Sequence, residues 1–319
     1  MRAANPITPF LDGQGVLVLD GGLATELERR GHSLDDPLWS ARLLVDDPEA
    51  IVSVHRDYLE AGADAVVSAS YQATPRGFVE RGLTEAQADR LLLVSVDLAR
   101  RARDAFWDEA HPGRLKPLVA ASIGPYGAYL ANGAEYTGDY GLSETALVEF
   151  HRRRWHVLAE SQADLFACET IPSKVETAAL VRLLSETPDV LAWVSFSCRD
   201  GKHVSDGTAI EEAAGVVTGH PQVVAVGVNC TAPRYVRELI ERVRSVTDKP
   251  VVTYPNSGEG YDAASRTWQG EPSAQQAKSD PEGLSALCLD WRGAGARLIG
   301  GCCRTGPEHI RRMRARLLS

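Results

Sequence analysis

Residues 223–230 read Val-Val-Ala-Val-Gly-Val-Asn-Cys. A strand with one wet face alternates apolar and polar side chains. This stretch stays apolar through Val228, so both of its faces are covered, which is how a parallel strand sits between two layers. The run then ends in Asn229 and Cys230, two side chains with chemistry to offer. Residues 191–197, Leu-Ala-Trp-Val-Ser-Phe-Ser, show the same near-continuous apolar pattern.

Outward from this pair, short β-rich runs alternate with helical periodicity along the chain. Strands are predicted at 16–19, 63–68, 117–123, 164–168, 191–197, 223–229, 250–254 and 296–299. Helical patterns fill the intervals, among them 24–30, 48–61, 84–106, 143–161, 233–246 and 307–317. The helix predicted at 173–185 opens on a capping box of Ser173 and Glu176. Eight such units in 319 residues predict an α/β fold, a single TIM (β/α)8 barrel spanning 1–319. Two long loops, 124–141 after the third strand and 256–279 after the seventh, read as active-site loops rather than domain boundaries. A doubly wound open sheet would call for fewer strands and a G-x-G-x-x-G turn after the first. Here that turn reads Asp20-Gly21-Gly22-Leu23-Ala24-Thr25.

Bulk composition narrows the function classes. Hydrophobic residues make up 44% and charged residues 24%, enough for a full core and against disorder. A formal net charge of −9 argues against a phosphate-backbone partner, which needs clustered Lys and Arg. The basic runs at 152–154 and 311–316 fall in helical patterns and are expected to be solvated helix faces. No run approaches the roughly 18 apolar residues of a membrane span, and the amino-terminal residues lack the order of a secretory signal. Six cysteines in a chain this long do not make a disulfide scaffold. A cytoplasmic protein that binds neither nucleic acid nor membrane is expected. The oligomeric state is not legible.

The unusual residues fall at strand ends. Asp20, Tyr71, Glu169, Cys230 and the pair Cys302-Cys303 all sit at or just past the carboxyl end of a predicted strand, the rim where barrels place their catalysis. Cys230 ends strand six and Cys302-Cys303 ends strand eight after two glycines, so a single strand separates them. Loop reach and side-chain length can bring three thiolates onto one tetrahedral zinc ion, with Zn–S bonds of about 2.3 Å. An isolated free cysteine is usually a small buried hydrophobe, and Cys168, Cys198 and Cys288 are read that way. A Cys302–Cys303 vicinal disulfide is the other bland reading. Three sulfur ligands leave one position open, the mark of a catalytic site. Such an anionic cluster activates water poorly and hosts a fourth thiolate well, so the site reads as one that alkylates a thiol.

These residues carry a resemblance. The chain resembles the homocysteine S-methyltransferases, most closely those that use S-methylmethionine. The matching segments include Asp20-Gly21-Gly22, Tyr71-Gln72-Ala73-Thr74, Ser122-Ile123-Gly124-Pro125, Gly133-Ala134-Glu135-Tyr136, Glu169-Thr170-Ile171-Pro172, Gly227-Val228-Asn229-Cys230, Tyr254-Pro255-Asn256-Ser257 and Gly300-Gly301-Cys302-Cys303. The resemblance implies a TIM barrel, zinc on Cys230, Cys302 and Cys303, and homocysteine as acceptor, with its amino-acid end recognised by Asp20 and Glu169. At 319 residues, the added modules of the large methionine synthases are not expected. An ammonium seeks a carboxylate, which Asp20 and Glu169 supply. A carboxylate seeks N–H donors, which the amides of Gly21, Gly22 and Leu23 supply. Asn229 reads as a residue that orients the metal thiols. Tyr71, Tyr126, Tyr136 and Tyr140 are candidates for a sulfonium pocket. S-adenosylmethionine or betaine as donor, selenocysteine as acceptor, a zinc-dependent barrel hydrolase and a structural zinc protein are the alternatives. No H-E-x-x-H pairing supports the hydrolase.

Overall fold

Val223–Asn229 is a strand with every residue buried, and the strands on both sides of it run in the same direction. The computed structural model describes residues 4–34, 38–110, 113–258, 260–262, 267–269 and 280–319. In chain order the strands are β1 (Leu17–Val18), β2 (Ala65–Val67), β3 (Leu118–Ile123), β4 (Leu165–Ile171), β5 (Ala192–Phe196), β6 (Val223–Asn229), β7 (Val251–Tyr254), β8 (Gly260–Asp262), β9 (Thr267–Gln269) and β10 (Ala296–Ile299). All but β8 and β9 form one parallel sheet in the order β1-β10-β7-β6-β5-β4-β3-β2. A parallel bridge from Leu19 to Ala65 joins β1 to β2 and closes the sheet on itself. The expected TIM barrel is therefore present. The 256–279 loop holds the antiparallel β8–β9 hairpin, and most of the remainder of that loop lies outside the described residues.

Alternation along the strands sorts side chains into two cores. On β4, Leu165 and Ala167 point into the barrel with Leu17, Ala120, Trp193 and Val252. Phe166 and Cys168 point outward into the layer between strands and helices. Outer helices include Pro48–Ala61, Glu144–Ala159, Lys174–Glu186 and Pro281–Ala294. Their N-caps Asp47, Ser143, Ser173 and Asp280 each accept a backbone N–H in the first turn. No described helix is long and apolar enough to cross a membrane.

Three local features differ from expectation. Residues Thr8–Gln14 form a helix that ends on Gly15 at φ 74. Ile7 and Phe10 plug the amino-terminal end of the barrel interior, fully or almost fully buried. The capping box at Ser173 is half formed. Ser173 Oγ accepts the Glu176 N–H, but the Glu176 carboxylate turns inward instead and accepts from the N–H of Tyr126 and from His151 Nε2. A buried carboxylate needs partners more than a helix end does. The 124–141 loop is also not structureless, since it carries a helix at Tyr126–Leu130 and a 3-10 turn at Ala134–Tyr136.

Candidate metal centre and substrate cavity

Cys230 follows β6 directly, and Cys302 and Cys303 follow β10 after Gly300 and Gly301. β7 runs between those strands, and the segment after it carries both. Cys230 N–H donates to Tyr254 O, Cys302 N–H donates to Pro255 O, and Ser257 N–H donates to Cys303 O. The three Sγ atoms lie within 4.8 Å of one another, with Cys230 and Cys303 at 3.6 Å. Close backbone approach makes this possible. A Cβ on Gly227 would stand 1.8 Å from Val252 O, and one on Gly22 would stand 2.7 Å from Cys302 O. Cys230 itself sits at φ 44 and Thr170 at φ 60, left-handed conformations that non-glycine residues adopt at a cost of roughly 1–3 kcal/mol each.

The surroundings support that strain. Asn229 Oδ1 accepts the Thr170 N–H at 2.7 Å and its Nδ2 donates to Thr170 Oγ1 at 2.8 Å. The same Nδ2 lies 3.9 Å from Cys302 Sγ. The β4–β5 register shifts between Cys168 and Ile171, a bulge that lets the chain turn at Glu169 and Thr170. Hydrogen bonds from Cys302 and Cys303, with the Tyr136 hydroxyl at 3.2 Å, hold the Cys230 thiol well below its usual range. Those same bonds to Cys230 hold the protons on Cys302 and Cys303. Among the described residues this is the one group of three or more His, Cys, Asp and Glu close enough to share a metal. Cys168, Cys198 and Cys288 are free thiols outside it. Burial pushes the first two well up and Cys288 to about 11.

The sulfurs open onto a cavity of about 520 Å³, a size typical of small-molecule sites. Asp20, at the end of β1, accepts the Val67 N–H at 2.8 Å, and burial pushes its carboxyl well up. Glu169, on β4, accepts from the hydroxyls of Ser122 and Tyr254, and burial pushes it to about 7. Glu135 comes from the 3-10 turn in the 124–141 loop and is likewise pushed by burial to about 7. The described residues on the cavity wall include Asp20, Glu28, Glu135 and Glu169 and neither lysine nor arginine.

The expected residues divide clearly. Asp20, Gly21, Gly22, Tyr71, Glu169 and the three cysteines are on the wall. Asn229 is not, being fully buried with its amide on Thr170 and Cys302. Gly22 N–H already donates to Thr305 O at 2.9 Å, so the close packing of the turn removes one of the three amides expected for a substrate carboxylate. Tyr71 and Tyr136 face the cavity. Tyr126 and Tyr140 do not, because they pack on each other and Tyr126 packs on Phe150, with ring centroids at 5.2 and 4.8 Å. Sequence reasoning missed Glu135 and Tyr254 as wall residues. Glu135 sits within the Gly133–Tyr136 segment already singled out, and its charge in a Gly/Tyr-rich loop was the available signal.

Residues 17–317 match the family described as homocysteine S-methyltransferase. The chain belongs to that family. The homocysteine S-methyltransferase YbgG of Bacillus subtilis is 51% identical over 313 residues, 98% of this chain and 97% of its own length. The homocysteine S-methyltransferase of Escherichia coli is 50% identical over 318 residues, 99% of this chain and all of its own. The crystal structure of the Escherichia coli homocysteine methyltransferase MmuM in its metallated form matches with a TM-score of 0.87 at 46% identity, over 98% of this chain and 100% of that one. The homocysteine S-methyltransferase match thus spans nearly the whole chain.

Proposed function

We propose that this enzyme is a zinc-dependent methyltransferase that moves a methyl group from a sulfonium donor, S-methylmethionine by best fit, to the thiol of L-homocysteine, giving methionine. Methyl transfer to homocysteine is the activity of the family. The observation that supports the rest is a set of three convergent thiols opening onto a cavity walled by carboxylates.

The donor set fits zinc. Three sulfurs without a histidine or carboxylate among them suit a soft, tetrahedral ion and leave a fourth position for a ligand. Cys230, Cys302 and Cys303 would hold it, and its positive charge would keep an incoming thiol deprotonated near neutral pH.

The chain's own residues do the remaining work. Asp20 and Glu169 receive the homocysteine ammonium, and a cation seated between them restores the charge that burial removes. Asn229 fixes Thr170 and the Cys302 sulfur, so the thiols stay aimed at one point. Tyr71 and Tyr136 close the wall around the reacting sulfur and exclude water. Homocysteine sulfur attacks the donor methyl, the C–S electron pair leaves with the donor sulfur, and the sulfonium charge is discharged. Alignment of two bound substrates is the main contribution of the protein.

The barrel-hydrolase alternative lacks its metal ligands among the described residues, since the cluster is sulfur alone. Incubating the zinc-loaded protein and homocysteine with S-methylmethionine, S-adenosylmethionine or betaine, and detecting methionine, tests the proposal. Methionine from S-methylmethionine is expected. Metal binding without turnover on any donor would leave a structural zinc protein instead.

A further inference from the structure

The cavity has acceptors that the homocysteine site does not use. Glu135 is on its wall, and its Oε2 is buried with no hydrogen-bond partner among the described residues. Gln72 is on the same wall, 9% exposed, and its Oε1 is likewise buried and unpaired. Both are tied to the helix Tyr126–Leu130. Gln72 Nε2 donates to Ala128 O at 2.8 Å. A Cβ on Gly127 would stand 2.3 Å from Glu135 N, so the turn that carries Glu135 lies directly against that helix. Ser197 Oγ donates to Glu135 O at 2.9 Å and pins the turn from β5's side. Two oriented acceptors with no donor between them are costly to bury unless a ligand meets them. Tyr136, the next residue, reaches Cys230 Sγ, which places this wall beside the thiol cluster.

We infer that Glu135, with Gln72 beside it, is the specificity-determining residue for the methyl donor, and that it selects donors carrying positive charge at the transferable methyl. The inference rests on the methyl-transfer reading above and adds the residue that tells a sulfonium from a neutral methyl source. Asp20 and Glu169 face the ammonium of the acceptor. Of the two other wall carboxylates, Glu28 is offset by Arg304, and Glu135, which feels Cys230 and Cys303, is the one beside the thiols for the second cation in the cavity. Because the sulfonium charge disappears as the methyl moves, a carboxylate paired with it favours binding over chemistry. Its loss therefore raises the donor KM and spares kcat.

The test compares zinc-loaded wild type with Glu135→Gln, which keeps the side-chain volume. Donor KM for S-methylmethionine is measured at saturating homocysteine, together with the rate of homocysteine methylation by methyl iodide, a neutral electrophile. Binding of trimethylsulfonium, which has the cation and nothing else, is measured by calorimetry. Zinc content and homocysteine KM check that the variant is intact. The expected result is a donor KM raised about tenfold, about 1.4 kcal/mol, weaker trimethylsulfonium binding and a methyl iodide rate within about twofold of wild type. An unchanged donor KM, equal loss with both methyl sources, or unchanged trimethylsulfonium binding overturns the assignment. Wild-type turnover with methyl iodide but with no sulfonium would instead overturn the donor reading, and calorimetry still decides the role of Glu135.

Discussion

The hydroxyl of Tyr136 lies 3.2 Å from the sulfur of Cys230, across 94 positions of sequence. The 124–141 loop therefore reaches over the barrel mouth to the thiol itself. An O–H donor to a buried sulfur favours its anionic form, by about 1.5–3 kcal/mol for a charged acceptor. In metal-free protein, Tyr136→Phe should leave roughly tenfold less thiolate at a fixed pH below the midpoint. Iodoacetamide alkylation of the first-reacting cysteine measures this, and an unchanged rate would show that the contact is incidental.

Cys303→Ala should drop bound zinc from about one ion per chain to near zero and abolish methyl transfer, while the barrel persists by circular dichroism. Cys303 lies past the strand end and belongs to neither core cluster, so its loss opens no core cavity. Full zinc stoichiometry in the variant would remove Cys303 from the metal site.

Asp20→Asn should raise the homocysteine KM by roughly tenfold or more, with zinc content unchanged. The amide keeps the bond from Val67 N–H and removes only the charge. An unaltered homocysteine KM would leave Asp20 as a brace for β2.

Stability should respond to His55. It is fully buried on the helix Pro48–Ala61, neither ring nitrogen has a hydrogen-bond partner among the described residues, and burial lowers its pKa to about 4 from an ordinary 6.5. The folded state resists the proton that the unfolded chain accepts. Its stabilising contribution is thus whole above pH 6.5 and declines as pH falls toward 4, by about 3 kcal/mol. Urea unfolding of wild type and His55→Leu across that window isolates the effect, and parallel pH profiles would contradict it.

The barrel and its sulfur rim were legible because both follow from periodicity. Continuous apolar runs mark covered strands, and a residue just past such a run must lie on the catalytic rim whatever the loops do. Cys230, Cys302, Cys303, Asp20 and Glu169 are placed by that rule alone. Glu135 obeys no such rule. Its position depends on how a loop folds over the mouth, on the bare Cα of Gly127 and on a bond from Ser197. Tyr126 and Tyr140 show the converse, since their place in the loop made them pocket candidates, and packing on each other, with Tyr126 on Phe150, took them elsewhere. The outcome at Glu176 shows local and tertiary demand in conflict. The Ser-x-x-Glu spacing is correct, but the buried His151 and Tyr126 N–H claim the carboxylate.

The contact between Gly22 and the carbonyl of Cys302 joins the second turn of the fold to the last. A ribosome must therefore have passed Cys303 before the thiols can meet. Until then the emerging polypeptide has only Cys230 of the three, too few to capture metal firmly. Premature termination anywhere upstream of Cys302 yields a product that is inert rather than partly active. On the proposed zinc site, metal loading would thus report that translation has passed Cys303.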